Sequence, residues 1–455
     1  MPRSFAAMPR VRAVFPCLLA ALWLAGCAPA PKPIPPVPAA PVLDLVRIPQ
    51  DPAFFASGPG KDRPLLTPDV KAVLADDFVQ TFFKPWRQPG KPVARRDVAA
   101  PFREYAASPG FGADNLPNPP DFAPRIEASA GLENYPNLNR PAVTVDAADL
   151  RALPTMAPSY LDPTKPGEGY PFDYLQYSRI PPDTPLMARH ASRDGKWLFV
   201  ELASGQGWLP SSAVAYVNES FMAAFQTGTY AAFIREGVDI PLDDGSGALR
   251  GGLGTVFPVQ SQSPSGFIGL AAVRQGAFAR LAQCTVPAGQ AAIIPMAATE
   301  EDIAGLAREL IGQTYGWGGL DGKRDCSLMV RDLFTPLGVW LPRNSAAQAK
   351  AAPSVSLEGL TPEQKEQTIL RLGVPFLTLI TLPGHIGLYI GAFDGHPVML
   401  HDIWGVRTLD AGGREGRRVI GKTVITTLTP GRELSDYDRD KNIIGRVNGM
   451  TFLGR

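Results

Sequence analysis

Between Asp325 and Phe334 the chain carries a short helical pattern that leaves little choice of fold around it. Its apolar positions, 328, 329, 330, 333 and 334, spread so far round a helix that other elements must cover it. Asp325 is the natural N-cap, which puts Cys326 at the first helical position. There the helix dipole and the unpaired amides are expected to favour a thiolate and to lower the pKa of the thiol. A lone cysteine in an apolar helix is equally consistent, taken by itself, with a small buried core residue.

A thiolate nucleophile needs a base, and the base needs a group that orients it. The chain has four histidines, 190, 385, 396 and 401. His190 lies among earlier β segments and reads as structural or as a substrate contact. The other three share a hairpin from Gly384 to Ile403, where register decides between them. A two-residue turn at Asp394-Gly395 would put His385 and His401 on opposite faces. A five-residue loop, Gly391 to Gly395, pairs them directly on one face, with β-carbons about 5 Å apart. On that register Cys326 is the nucleophile, His385 the base and His401 the orienting group, with His396 facing away. There is no paired ligand spacing such as Cys-x-x-Cys, so no metal and no cofactor is expected.

At 455 residues the chain is too long for one core, and two to four domains are expected. Lys plus Arg number 44 against 43 acids, which gives no basic field for nucleic acid. Residues 1–26 hold Arg3, Arg10 and Arg12, no acid, and an apolar run from Val14 to Trp23, the pattern of a secretory signal rather than a membrane span. The run ends in Leu24-Ala25-Gly26-Cys27, which resembles the bacterial lipobox and implies a lipidated Cys27. Prolines crowd residues 27–41 and favour an extended tether. Alanine rather than aspartate follows Cys27, which implies attachment to the outer membrane where the source has two. Beyond Cys27 only Cys284 and Cys326 remain, too few for a disulfide framework, and Cys284 sits in an apolar stretch as a small hydrophobe.

Residues 42–152 are proline-rich with short helical patterns, such as Thr67 as N-cap before Pro68, and are expected to form a mainly helical region. Turn-bounded β segments follow. Those within 153–218, ending in Gly207-Trp208-Leu209, resemble a bacterial SH3 domain. Residues 219–298 suggest a second barrel of similar size, although one larger β domain would carry the same signals. Residues 299–455 open on a helix with acids in its first turn, Glu300-Glu301-Asp302.

Tyr315 with Trp317-Gly318-Gly319, Asp325-Cys326-Ser327, Leu341-Pro342-Arg343 with Ser345 and Gln348, and Gly384-His385-Ile386-Gly387-Leu388-Tyr389 together resemble the NlpC/P60 family of cysteine peptidases. The resemblance implies a multidomain protein with a papain-like α+β domain over 299–455, its cysteine helix facing an antiparallel sheet, behind two SH3-like β-barrels and the helical region. It also implies a role for Tyr315 near the sulfur and its oxyanion site. Arg324, Asp325 and Ser327, with Glu201 and Tyr174 from the first barrel, are implied to contact substrate. Leu328 departs from the family, which usually has glycine there, and is expected to repack the helix against the sheet.

The implied activity is cleavage of the γ-D-glutamyl to diamino acid bond, diaminopimelate included, in peptidoglycan stem peptides with a free N-terminal L-Ala. The implied setting is a monomer lipid-anchored in the cell envelope through Cys27, facing the periplasm. Two other readings use the same residues: a noncatalytic wall-binding lipoprotein that relies on its SH3 barrels, and a papain-like amidase or acyltransferase.

Overall fold

The computed structural model describes residues 41–58 and 60–454. The leader over 1–26, Cys27 and the tether up to residue 40 lie outside the described residues. Among the described residues no helix is long and apolar enough to cross a membrane.

The N-terminal region is a set of helices, the longest being Pro68–Phe82, where the Thr67 side chain accepts from the Val70 amide and Pro68 opens the first turn. This region acts as a brace. Ile48, Ala56 and Leu66 enter the core beneath the cysteine helix, while Phe83 and Trp86 pack with Phe225 and Tyr230. Asp44 Oδ2 accepts from the Thr427 amide at 2.8 Å and hydroxyl at 2.7 Å, and Gln50 bonds both the amide and the carbonyl of Ile425. These contacts occupy the free edge of the last long strand, which would otherwise be open to pairing with another chain.

The middle of the chain is one twelve-stranded sheet built around two separate cores. Ala142, Leu150, Ile180, Val200 and Leu209 fill the first, and Phe233, Ile240, Phe257 and Cys284 the second. The two sets are joined in the sheet by a parallel pairing of Phe278 with Tyr216, and beside it by the Ala272 amide donating to Asp183 and by Arg274 donating to the carbonyls of Ser211 and Ser212. The first set starts before residue 153: Arg140–Thr144 pairs with Pro185–Ala191, and Ala148–Arg151 with Gln176–Ile180. Both early strands are too short for alternation to show, and Pro141 weakens the first as a strand signal. Cys284 is a free, fully buried thiol pushed up to about 12 by burial and by Asp183 and Asp243.

The C-terminal domain is a six-stranded antiparallel sheet in the order Ser354–Ser356, Gly449–Phe452, Thr378–Leu382, His385–Phe393, His396–Leu409, Glu415–Thr427. The helix Cys326–Phe334 lies on one face, with Met329, Val330, Leu333 and Phe334 against Ile386, Leu388, Leu400 and Ile425. Each such side chain, fully buried, stabilises the fold by roughly 1.5–3 kcal/mol. Leu357, Ile369 and Val447 cover Tyr389, Met399 and Val424 on the other face.

Candidate active site

The hairpin reaches the expected arrangement by an unexpected route. Asp394 and Gly395 form a two-residue turn with φ of 48° and 80°, and Phe393 pairs with His396. Left alone, that register would separate the two histidines. A bulge at Ile390 shifts it by one, so that Leu388 pairs with Leu400 and the faces are exchanged. The five-residue loop is not formed and the direct pairing of His385 with His401 does not occur; the two share a face because of the bulge. His385 sits diagonal to His401 rather than opposite, and its Nε2 lies 2.8 Å from His401 Nδ1. Gly387 is the residue that lies across from His401: a β-carbon on it would meet His401 Cβ at 2.9 Å and Met399 Cγ at 2.5 Å.

Beyond His401 the hydrogen bonds run on. Its Nε2 is 3.0 Å from Thr426 Oγ1, and the Thr426 hydroxyl donates to the Thr427 carbonyl at 2.7 Å. With its one hydrogen committed, Thr426 can only accept, so His401 carries its proton on Nε2 and presents a bare Nδ1. His385 must then donate from Nε2, which leaves its Nδ1 unprotonated. That is the tautomer of a base. His396 instead contacts Glu366 at 2.9 Å, away from this line.

Cys326 begins its helix capped by Asp325, whose Oδ1 accepts from the Leu328 amide at 2.8 Å. The Ile386 amide, one residue past His385, hydrogen-bonds the thiol. The expected depression of the thiol pKa is not found. Cys326 is only 8% exposed, and burial, reinforced by Asp325, pushes it up to about 12 against the opposing pull of the Ile386 amide and Arg343. Burial and then Arg446 push His385 down to about 4, and burial and His385 hold His401 well below the usual range. Thiol and imidazole therefore rest neutral, and the thiol loses its proton only as it reacts.

Asp325 is fully engaged. Arg343 donates from Nη1 to Oδ1 at 3.1 Å and from Nη2 to Oδ2 at 2.7 Å, while the Gly318 amide donates to Oδ2 and the Ser327 hydroxyl to Oδ1. Burial would raise its pKa, but the Arg343 charge and these donors together hold it below the ordinary range. An ammonium would have to displace Arg343, so Asp325 serves as cap and ion-pair partner. Ser327 also receives Arg343 Nη1 at 2.9 Å, and Arg343 Nε reaches Ser178 of the first barrel at 2.8 Å.

Arg324 does not face substrate. Its Nε bonds Asp332, its Nη1 Gln313 and its Nη2 the Leu253 carbonyl and Glu236, tying the second barrel to the cysteine helix. Glu201 is also remote, held by Arg189 and the Val93 amide under the N-terminal region. Tyr174 does reach the site: its ring lies 5.7 Å from Trp317. Phe172, from the same segment, meets Tyr315 at 6.0 Å and Trp317 and Trp404 each at 5.6 Å. Tyr315 is buried, with burial and then Cys326 raising its hydroxyl pKa, which puts it beside the thiol. His190 is structural, its Nε2 2.9 Å from the Ala130 carbonyl.

Trp317-Gly318-Gly319 is where the first barrel docks. A β-carbon on Gly318 would lie 2.5 Å from the Gln176 carbonyl, and one on Gly319 2.7 Å from Arg179 Cβ and 3.0 Å from Leu328 Cδ2. Leu328 thus turns toward the barrel instead of repacking the helix on the sheet.

Sequence reasoning did not find Thr426, Asp402 or the role of Arg343. Asp402 is fully buried beside His401 in sequence, paired across the sheet with Thr423, and neither carboxylate oxygen has an aligned hydrogen-bond partner. Burial, with Asp325 adding, pushes its pKa up to about 8. Among the described residues no three His, Cys, Asp or Glu side chains group as metal ligands.

A buried cysteine at a helix start, an antiparallel sheet and a line of imidazoles on one of its faces define a papain-like α+β hydrolase fold. Residues 312–410 match the NlpC/P60 family, 158–210 an SH3 domain of the SH3b1 type, and 16–135 the N-terminal stabilising domain of NlpC/P60 proteins. The chain therefore carries an NlpC/P60-family domain behind an SH3 domain. Its fold is similar to that of an NlpC/P60 endopeptidase from Photobacterium damselae subsp. piscicida, with a TM-score of 0.82 and 25% identity over 89% of this chain and 97% of that one. Two Corynebacterium glutamicum proteins, each described as a probable endopeptidase, are 31% and 33% identical over 116 residues. Those matches span 25% of this chain and about half of the relatives, 48% and 47%.

Proposed function

We propose that this protein is a cysteine endopeptidase that cleaves the γ-D-glutamyl to diamino acid bond, diaminopimelate included, of peptidoglycan stem peptides bearing a free N-terminal L-Ala. The observation that carries the reading is the hydrogen-bonded line Thr426–His401–His385 ending on an unprotonated Nδ1, with the amide of the next residue, Ile386, hydrogen-bonded to the Cys326 thiol. As the sulfur attacks the glutamyl carbonyl, its proton passes to His385 Nδ1. The Cys326 amide and Tyr315 receive the oxyanion. The tetrahedral adduct collapses to a thioester while His385 returns the proton to the departing amine, and water then releases the acyl group by the same path in reverse.

Phe172 and Tyr174 of the first barrel stand against Tyr315 and Trp317, a wall that favours short, already released stems over intact glycan-bound ones. The arginine-rich leader and Cys27 support attachment to a membrane of the cell envelope by a lipid, on the periplasmic side, with the protein acting as a monomer.

The test is Cys326→Ala assayed on L-Ala-γ-D-Glu-diaminopimelate. Loss of cleavage with an unchanged melting temperature is expected, and a variant that still cleaves refutes the reading. A noncatalytic wall binder would instead retain sacculi without releasing any product. An amidase or acyltransferase would yield products lacking a new diamino-acid N-terminus.

A further inference from the structure

A cavity of about 290 Å³ has a lining that includes Arg407, Arg417, Lys441, Arg446, Tyr437 and Asn442, and Arg446 ties it to the segment leading into His385. Two carboxylates answer its four cations. Glu415 pairs with Arg407 at 2.9 Å and with Arg417 at 3.2 Å, and Asp438 pairs with Arg407 at 2.8 Å. Lys441 and Arg446 have no carboxylate partner among the described residues; Arg446 donates only to the Pro383 carbonyl, two residues before His385. Arg417 Nε and the Tyr437 hydroxyl are buried without a hydrogen-bond partner, and buried donors of this kind are costly unless something accepts from them.

The charge is unbalanced enough to be felt. Burial, with repulsion from Arg407 and Arg446, lowers the pKa of Arg417 despite Glu415, and Arg446 helps to depress His385. The loop of the first barrel closes one side: a β-carbon on Gly167 would come 3.0 Å from Arg417 Nη2. In a protein whose formal net charge is +1, a walled cavity with two surplus cations and two unsatisfied donors is a built site for an anion.

We propose that this cavity is a carboxylate-binding subsite for the leaving-group half of the substrate, with Lys441, Arg446 and Arg417 Nε receiving a carboxylate of the departing diamino acid. His385 hands its proton to the departing amine, so the residue bearing that amine lies past His385, on the side where Arg446 stands. A planar carboxylate suits the guanidinium fork and would use the idle Nε. The inference rests on the peptidase reading above and adds to it a preference for stems whose diamino acid carries free carboxylate.

The test compares kcat/KM for L-Ala-γ-D-Glu-diaminopimelate and L-Ala-γ-D-Glu-lysinamide, which has no carboxylate on its leaving half. The wild type should prefer the first by roughly ten- to hundred-fold, the range of a charge-assisted hydrogen bond. Lys441 is exposed, so Lys441→Ala and Lys441→Glu should fold normally, as melting temperatures will show, and should shrink and then abolish that ratio. Equal rates on both peptides in the wild type, or an unchanged ratio in Lys441→Glu, would overturn the subsite. Cleavage of neither peptide would instead sink the peptidase reading, and the subsite with it.

Discussion

Replacing Thr426 with valine removes one hydroxyl from a site with no exposed surface and leaves the shape nearly unchanged. The His401 Nε2–H, 3.0 Å from that oxygen, then has nothing to donate to, at a cost of about 1–3 kcal/mol. The ring escapes the cost by moving its proton to Nδ1. That reverses the 2.8 Å bond to His385, which must then accept at Nε2 and carry its own proton on Nδ1. A His385 protonated there cannot take the proton of Cys326. If the productive tautomer is disfavoured by about 1.4–2.8 kcal/mol, it falls to between a tenth and a hundredth of the molecules, and kcat falls by the same factor.

Steady-state cleavage of a stem peptide by Thr426→Val should therefore show kcat down about ten- to hundred-fold with KM little changed. Thr426→Ser, which restores the hydroxyl, should recover most of the loss. Nitrogen chemical shifts of the two imidazoles read the tautomers directly and should exchange in the valine variant. A valine variant within two-fold of wild-type kcat, or a serine variant as slow as valine, would refute the reasoning.

Gly387→Ala should cost about 1–3 kcal/mol of stability, read as a lower melting temperature, and should lower kcat by pushing His401 away; wild-type kcat would show that the strands yield instead. For activity against pH, kcat/KM should rise through about pH 4 as His385 loses its proton, stay level, and fall again near pH 8. The fall follows from ionisation of Asp402, whose charge opposes formation of the thiolate, so Asp402→Asn should remove it; a limb at pH 6–7 would contradict the neutral resting pair. Asp183 is a buried acid pushed by burial from 3.8 up to about 8, so its folded state keeps a proton that the unfolded chain releases. Stability should fall as pH rises across that window, by up to about 1.4 kcal/mol per pH unit. Asp183→Asn tolerates the positive φ of 61° and should melt progressively higher than wild type between pH 5 and 8, a gap absent if Asp183 ionises normally.

What could be read in the sequence was local. Asp325, Cys326 and the apolar helix behind them depend on neighbours within one or two turns, and the match of Asp325 to the Leu328 amide follows from spacing alone. The bulge at Ile390 was hidden, because nothing in Leu-Tyr-Ile-Gly-Ala-Phe marks which residue will lose its partner. Arg324 looks available beside the cysteine because its partners Leu253 and Glu236 come from another domain, 71 and 88 positions earlier. Thr426 was invisible for the same reason: a threonine in a strand declares a role only when a distant imidazole meets it. The thiol pKa was misjudged because the helix start favours a thiolate only while water or a cation can reach it, and burial here outweighs both.

Asp44 and Gln50 grip the residues on either side of Thr426 across 383 and 375 positions of sequence. The strand Glu415–Thr427 is made late, and the segment that secures it is among the first of the described residues to be made. Cysteine and both histidines exist in a nascent chain well before the proton line has its far end in place. Competence for cleavage is thus a late event, reached when the two ends of the folded chain have met. A chain without residues 41–58 should accordingly keep its affinity for stem peptide while turning it over slowly. For the hydrolase proposed above, that delay is a form of restraint written into chain order.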